Sequence, residues 1–181
     1  MVQTEPFVQL EVEFQFWMGR MVTVSRGNQT YQLARYWVDV GGPRPGRADP
    51  QRPDLKYFLF LESYREDYSL AQSLSPNQSE RWYRQMKSGA ESGWDYSSRW
   101  FSGSSQGNEL YSVSTGDILP VDLNSFLCKN AQIIAELYRR LERRDIAKQY
   151  EDIRENLKAA IRYNKKKKSS STRGFVDRTY F

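Results

Sequence analysis

From Asn124 to Ile161 apolar residues recur at helical intervals, and no other feature of the 181-residue chain restricts its fold so strongly. Leu127, Ile134, Leu137 and Leu141 mark one stripe, with Asn124 or Ser125 placed to cap the helix that carries it. Asp145 then opens a second helix whose face carries Ile146, Tyr150, Ile153, Leu157 and Ile161, each step three or four residues. Helices joined by so short a link pack as an antiparallel hairpin, which predicts an all-α C-terminal part. Beyond Arg162 the repeat stops.

Upstream, Phe7, Leu10, Phe14 and Trp17 keep the same spacing and predict an amphipathic helix over residues 6–18, with Pro6 in its first turn. Residues 20–40 hold β-branched and aromatic positions broken by Gly27 and Asn28, the pattern of a loop or a weak hairpin. Four prolines and three glycines in residues 41–54 forbid regular structure there. The apolar run Tyr57–Leu61 follows without polar alternation. Trp82 and Met86, four apart, support a helix around Glu80–Lys87. Residues 93–123 are rich in Gly and Ser, with Trp94, Tyr96, Trp100, Phe101 and Tyr111 interleaved, and read as a ligand-facing loop.

Composition narrows the chemistry. With 39% apolar and 27% charged residues the chain is expected to be a soluble globular protein. Aromatics reach 14%, which suits either a large aromatic core or a surface that stacks on a flat ligand, and composition leaves both open. The net charge of +5 is concentrated in Lys165–Lys168, in a polar tail read as a solvated end. No nucleic-acid partner is expected from it, because no binding-module motif accompanies it. There is no histidine, so His-based metal sites, Ser-His-Asp triads and Cys-His dyads are all excluded. Cys128 is the one cysteine, lies in the apolar stretch Phe126-Leu127-Cys128, and is expected to be buried as a thiol. Acid–base chemistry therefore falls to carboxylates, Lys, Tyr or that thiol. The first residues do not read as a signal peptide, and no apolar run is long enough to span a bilayer. Asn28-Gln29-Thr30 and Asn77-Gln78-Ser79 are glycosylation sequons.

The segment Ala90–Trp100, AESGWDYSSRW, holds the strongest candidate for chemistry. Asp95 is flanked by Trp94 and Tyr96, surroundings of low dielectric that favour a protonated carboxyl, the form that donates a proton to a glycosidic oxygen. Gly93 lets backbone approach a ligand closely. The plain alternative is an Asp capping a turn beside aromatic packing.

This segment resembles the stretch of trehalases that carries the catalytic acid. Three further pieces resemble that family: Glu62-Ser63-Tyr64-Arg65-Glu66-Asp67 upstream, Leu119–Leu127 downstream, and Glu13-Phe14-Gln15-Phe16-Trp17-Met18 near the N-terminus. The resemblance covers residues 8–45 and 62–161 and is nearest to the animal-type members. It implies an (α/α)6 toroid, of which this chain would supply part, and hydrolysis of α,α-trehalose to two glucose molecules with inversion and without a cofactor. Residue by residue, it implies that Asp95 is the general acid, that Arg44 and Glu62 contact substrate hydroxyls, and that Gly93 lines the same subsite. Fixed guanidinium donors and a carboxylate acceptor suit sugar hydroxyls.

The departures from the family are as informative. Members read Pro-Arg-Pro-Glu-Ser-Tyr without a break, whereas here Gly46–Leu61 separates Pro45 from Glu62. Removing those sixteen residues restores the motif, so 46–61 reads as a foreign insert, a retained intron or gene-model error. The expected organisation is a partial trehalase domain over 1–161 and a divergent basic, Ser-rich tail over 162–181. An inverting glycosidase needs a second carboxylate to activate water. The resemblance places that base in a segment this chain does not contain, so the isolated chain is expected to be inactive, and a non-catalytic remnant binding sugar or a partner is the alternative. Animal-type members are commonly secreted or membrane-anchored, but the residues here leave localisation open.

Overall fold

A computed structural model describes residues 5–26, 28–44, 64–95, 97–101 and 110–165. The run Tyr57–Leu61, the insert 46–61, Glu62 and the tail from 166 onward lie outside the described residues. The chain divides into two compact units, residues 1–35 with 117–181 and residues 36–116. It is mainly helical, as expected, with one two-stranded hairpin.

In the first unit, α1 (Glu5–Met18) leads into the antiparallel strands β1 (Met21–Arg26) and β2 (Gln29–Ala34). Their register sets Met21 opposite Ala34 and Arg26 opposite Gln29, so the weak hairpin of the sequence is a real one. The long pair α4 (Val121–Arg140) and α5 (Arg144–Lys165) forms the predicted hairpin. Leu127 and Ile134 of α4 and Tyr150 and Leu157 of α5 are buried, while Leu141 lies exposed where α4 ends. Cys128 is half-buried, its thiol 3.8 Å from the Arg154 carbonyl oxygen.

One expectation is corrected here. Asn124 does not cap α4, which starts after Pro120 with Asp122 in its first turn. Asn124 lies inside the helix, fully buried, and its side chain serves β2. Its Oδ1 accepts from the Ala34 N–H at 2.8 Å, and its Nδ2 donates to the Ala34 carbonyl at 2.9 Å and the Pro120 carbonyl at 2.8 Å. Pro120 already has the extended backbone that precedes a helix, so no side-chain cap four residues later was needed. The Asn amide instead satisfies both backbone groups of a buried strand end.

A second polar cluster joins α1 to the helix pair. The Glu11 carboxylate accepts from the Tyr138 hydroxyl at 2.9 Å and the Tyr150 hydroxyl at 2.6 Å, and Gln15 Nε2 donates to the Tyr150 oxygen at 3.1 Å. The two tyrosine rings stack at 5.9 Å, with Phe7 and Phe14 set edge-on against them. Burial, then the bond to Glu11, push the Tyr150 hydroxyl far above the ordinary tyrosine range.

The second unit contains α2 (residues 64–71) and α3 (Pro76–Glu91), joined by a turn. Pro76 occupies the first helical position of α3, and Gln78 Oε1 accepts from the Ser75 N–H and hydroxyl. Trp82, Tyr83, Gln85, Met86 and Ser88 bury one face of α3, which extends beyond the predicted Glu80–Lys87 at both ends. Gly116 packs where a Cβ would meet the Trp37 ring at 2.5 Å, and its N–H donates to Gln85 Oε1 at 2.6 Å.

Candidate active site

After α3 come turns at Ser92, Gly93 and Asp95 and a 3₁₀ turn at Ser98–Trp100. Gly93 has φ +69°, a left-handed conformation that favours glycine, and nothing lies within 4 Å of where its Cβ would stand. The residue is required by the bend itself, and the space beside it is open. The Trp94 N–H then donates to Ser92 Oγ at 3.0 Å. The Trp94 carbonyl accepts twice, from the Ser97 N–H at 3.2 Å and from the Trp100 indole N–H at 2.8 Å. Asp95 is thus carried at the crest of a turn whose two ends are tied.

Trp100 anchors the turn. It is fully buried, its ring lies edge-on to Tyr36 at 5.9 Å, and its carbonyl accepts from the Ser114 N–H at 2.8 Å. Phe101 pairs with Val113 in an isolated antiparallel bridge, which closes the far side of the segment. Residues 93–123 are therefore not uniformly a ligand-facing loop. Trp100, Val113, Ile118 and Leu119 are core, whereas Trp94 is 54% exposed. The question that composition left open splits the same way, with Tyr36, Trp82, Tyr83 and Trp100 buried and Tyr64, Tyr68 and Trp94 outside.

Asp95 is exposed, which corrects the expectation of low-dielectric surroundings. Trp100 gives its indole N–H to the Trp94 carbonyl, holding the backbone, and Trp94 itself faces solvent. Tyr96 lies outside the described residues.

Arg44, assigned by the resemblance to substrate hydroxyls together with Glu62, is held by the carboxylate of Asp67. Its backbone N–H donates to Asp67 Oδ2 at 2.9 Å, Nε donates to the same oxygen at 2.9 Å, and NH2 donates to Oδ1 at 2.7 Å. Asp67 is completely buried, and Glu66 stands 3.7 Å from the same guanidinium. This fork-on-fork geometry takes up both carboxylate oxygens. The segment that delivers Arg44 is laid along α3: the Val38 N–H donates to Ser88 Oγ, and Lys87 Nζ donates to the Val40 and Gly41 carbonyls. Burial, opposed by nearby Asp67, lowers the Lys87 pKa, and burial followed by Asp67 raises that of Tyr83. Asp67 was missed as a partner because sequence offered no register between Arg44 and residues 64–71. Its signal was there all the same, as an acidic residue within the Glu62–Asp67 stretch. An open groove of about 370 Å³ in the same unit is lined by Gly42, Tyr68, Ala71, Tyr83 and Glu80 among others, and by neither Arg44 nor Asp67.

Comparison with known proteins agrees with the residue pattern. The trehalase family model matches residues 2–164. The chain belongs to the trehalase family. It is 38% identical over 153 residues to the trehalases of rabbit (Oryctolagus cuniculus) and of Homo sapiens, alignments that take in 84% of this chain and 24% of each relative. The periplasmic trehalase of Escherichia coli is 32% identical over 154 residues, 80% of this chain. The chain therefore spans about a quarter of the length of the relatives it matches. The match includes α1, the hairpin, α3, the Asp95 turn, α4 and nearly all of α5. Among the described residues no helix is long and apolar enough to cross a membrane, and no His/Cys/Asp/Glu cluster fits a metal ion.

Proposed function

We propose that this chain carries the acid side of a site that hydrolyses α,α-trehalose to two glucose molecules with inversion, and that Asp95 is the general acid. The observation that carries the reading is the position of Asp95, exposed on a turn tied at both ends, inside a match to trehalases that runs through residues 2–164. An exposed carboxyl on a fixed backbone is available to a glycosidic oxygen, and closing the site around it would supply the desolvation that raises a carboxylic acid's pKa. Gly93 leaves space for a sugar beside that acid. Arg44 and Glu62 are assigned to substrate hydroxyls, with Asp67 fixing the direction of the Arg44 fork. The reading gives the base that activates water to no residue of this chain, so the 181 residues alone are expected to release no glucose.

Residues 46–61 belong to this proposal as an interruption. Excising them joins Pro45 to Glu62 and brings the Arg44 and Glu62 positions back to the spacing of the family motif. The test is a graft: residues 2–164 of this chain in place of the matching segment of the rabbit trehalase, with and without 46–61. Glucose release by the graft, raised by the excision and lowered about 10²–10⁴-fold by Asp95→Asn, is the expected result. An Asp95→Asn graft that works as well as its parent would remove Asp95 from the mechanism.

A further inference from the structure

Trp94 is an expensive residue to leave in water. A tryptophan side chain is among the largest apolar surfaces a protein can bury, yet this one is 54% exposed in a segment whose neighbouring Trp100 is fully buried. Its backbone is also tied. Its N–H and carbonyl make three hydrogen bonds, to Ser92 Oγ, the Ser97 N–H and the Trp100 indole. The Arg99 guanidinium lies 5.1 Å from its ring centroid and 4.9 Å from that of Trp100, so the cation is shared between the two indoles. A tied backbone and a cation against the ring lower the ordering cost of a binding surface before any ligand arrives.

We infer that the exposed indole of Trp94 is a stacking platform for a pyranose ring, placed one residue before the candidate acid. This rests on the reading of Asp95 as a trehalose-directed acid and names a residue that would seat the sugar beside it. A pyranose in a chair presents C–H groups on its flat face and hydroxyls around its rim. The indole takes the apolar face, and the open space at Gly93 admits the rim. Arg99 acts as a positioning residue, because its guanidinium lies against the Trp94 ring while more than half of that residue stays exposed. An acyclic polyol has the same hydroxyls without the flat face and should not be held.

The experiment is a titration of the full 181-residue chain, uniformly labelled with ¹⁵N and read at its five tryptophan indoles and the Gly93 amide, with trehalose, methyl α-D-glucopyranoside and sorbitol. The Trp94 indole peak is assigned by its loss in Trp94→Phe. The expected result is a saturable shift of that peak with both pyranosides and none with sorbitol. Trehalose affinity, read from the Gly93 amide, should fall about tenfold in Trp94→Ala and be largely kept in Trp94→Phe. Arg99→Lys, which keeps the charge but not the flat contact, should weaken binding less than Trp94→Ala. An equal response to sorbitol would overturn the inference. So would a saturable response of the Gly93 amide with the Trp94 indole unmoved, an outcome that leaves the hydrolase reading standing. If no resonance responds to either pyranoside, the platform is likewise refuted, and glucose release by the graft decides the hydrolase reading separately.

Discussion

In the first unit, buried polar groups tie together elements far apart in sequence. In the second, the polar groups that matter most hold short segments in place. Asn124 spans ninety residues to Ala34, and Glu11 reaches Tyr138 and Tyr150 across more than 120. Arg44, by contrast, is fixed by Asp67 only 23 residues on, and the Asp95 turn is closed within the ten residues from Ser92 to Phe101. The second unit also leaves Asp95, carried on a turn tied through its backbone, and the Trp94 indole facing water. A side chain that is fixed in position while adding little to stability is where function is to be sought.

If that contrast is right, the largest stability loss comes from the second unit's buried pair. Asp67→Ala removes the enclosed partner of Arg44 and should cost about 3–5 kcal/mol in denaturant unfolding. Replacing the pair together, Asp67→Leu with Arg44→Met, should recover most of it; no recovery would mean that the carboxylate has another buried role. Next comes Asn124→Leu, which strands the N–H and carbonyl of Ala34 and should cost about 2–3 kcal/mol in the same measurement. A smaller effect is expected at Gly93, where an added Cβ meets nothing and only the left-handed backbone resists. Gly93→Ala should lower stability by about 1–2 kcal/mol without changing the slope of the denaturant curve.

The pH dependence sharpens the first unit's side of the contrast. Tyr150 keeps its proton in the folded chain well above 10.0, the unfolded value, because of burial first and its bond to Glu11 second. Above that pH the unfolded state gives up a proton that the native state retains, so stability falls as pH rises. Below it the contribution is constant. Tyr150→Phe should flatten the part of this decline that belongs to Tyr150, read from thermal unfolding between pH 8 and pH 11, roughly one unit or more either side of the ordinary value.

Helices were legible because their stripes are long: α1, α4 and α5 emerged within a few residues of their limits from the spacing of Phe14, Leu127, Ile134, Tyr150 and Leu157 alone. The start of α4 was misplaced because an Asn near a helix start looks like a cap, and only the tertiary partner, Ala34, shows that it faces inward. The candidate site could be named in the sequence by its residues but not by their environment. The Trp-rich string around Asp95 was conspicuous, but adjacency in sequence does not say whether an aromatic shields a carboxyl or holds its backbone. Here Trp100 does the latter through one indole N–H. The Arg44–Asp67 pair joins segments with no shared periodicity, so no spacing rule could have linked them.

The central claim is that Asp95 is spared from stability and committed to chemistry, and Asp95→Asn tests it most directly. The variant should unfold within about 0.5 kcal/mol of the parent chain, as an exposed side chain on a backbone-tied turn predicts. In the rabbit graft the same change should abolish most glucose release from trehalose. A variant that keeps its activity, or that loses it only because the turn has unfolded, would contradict the account.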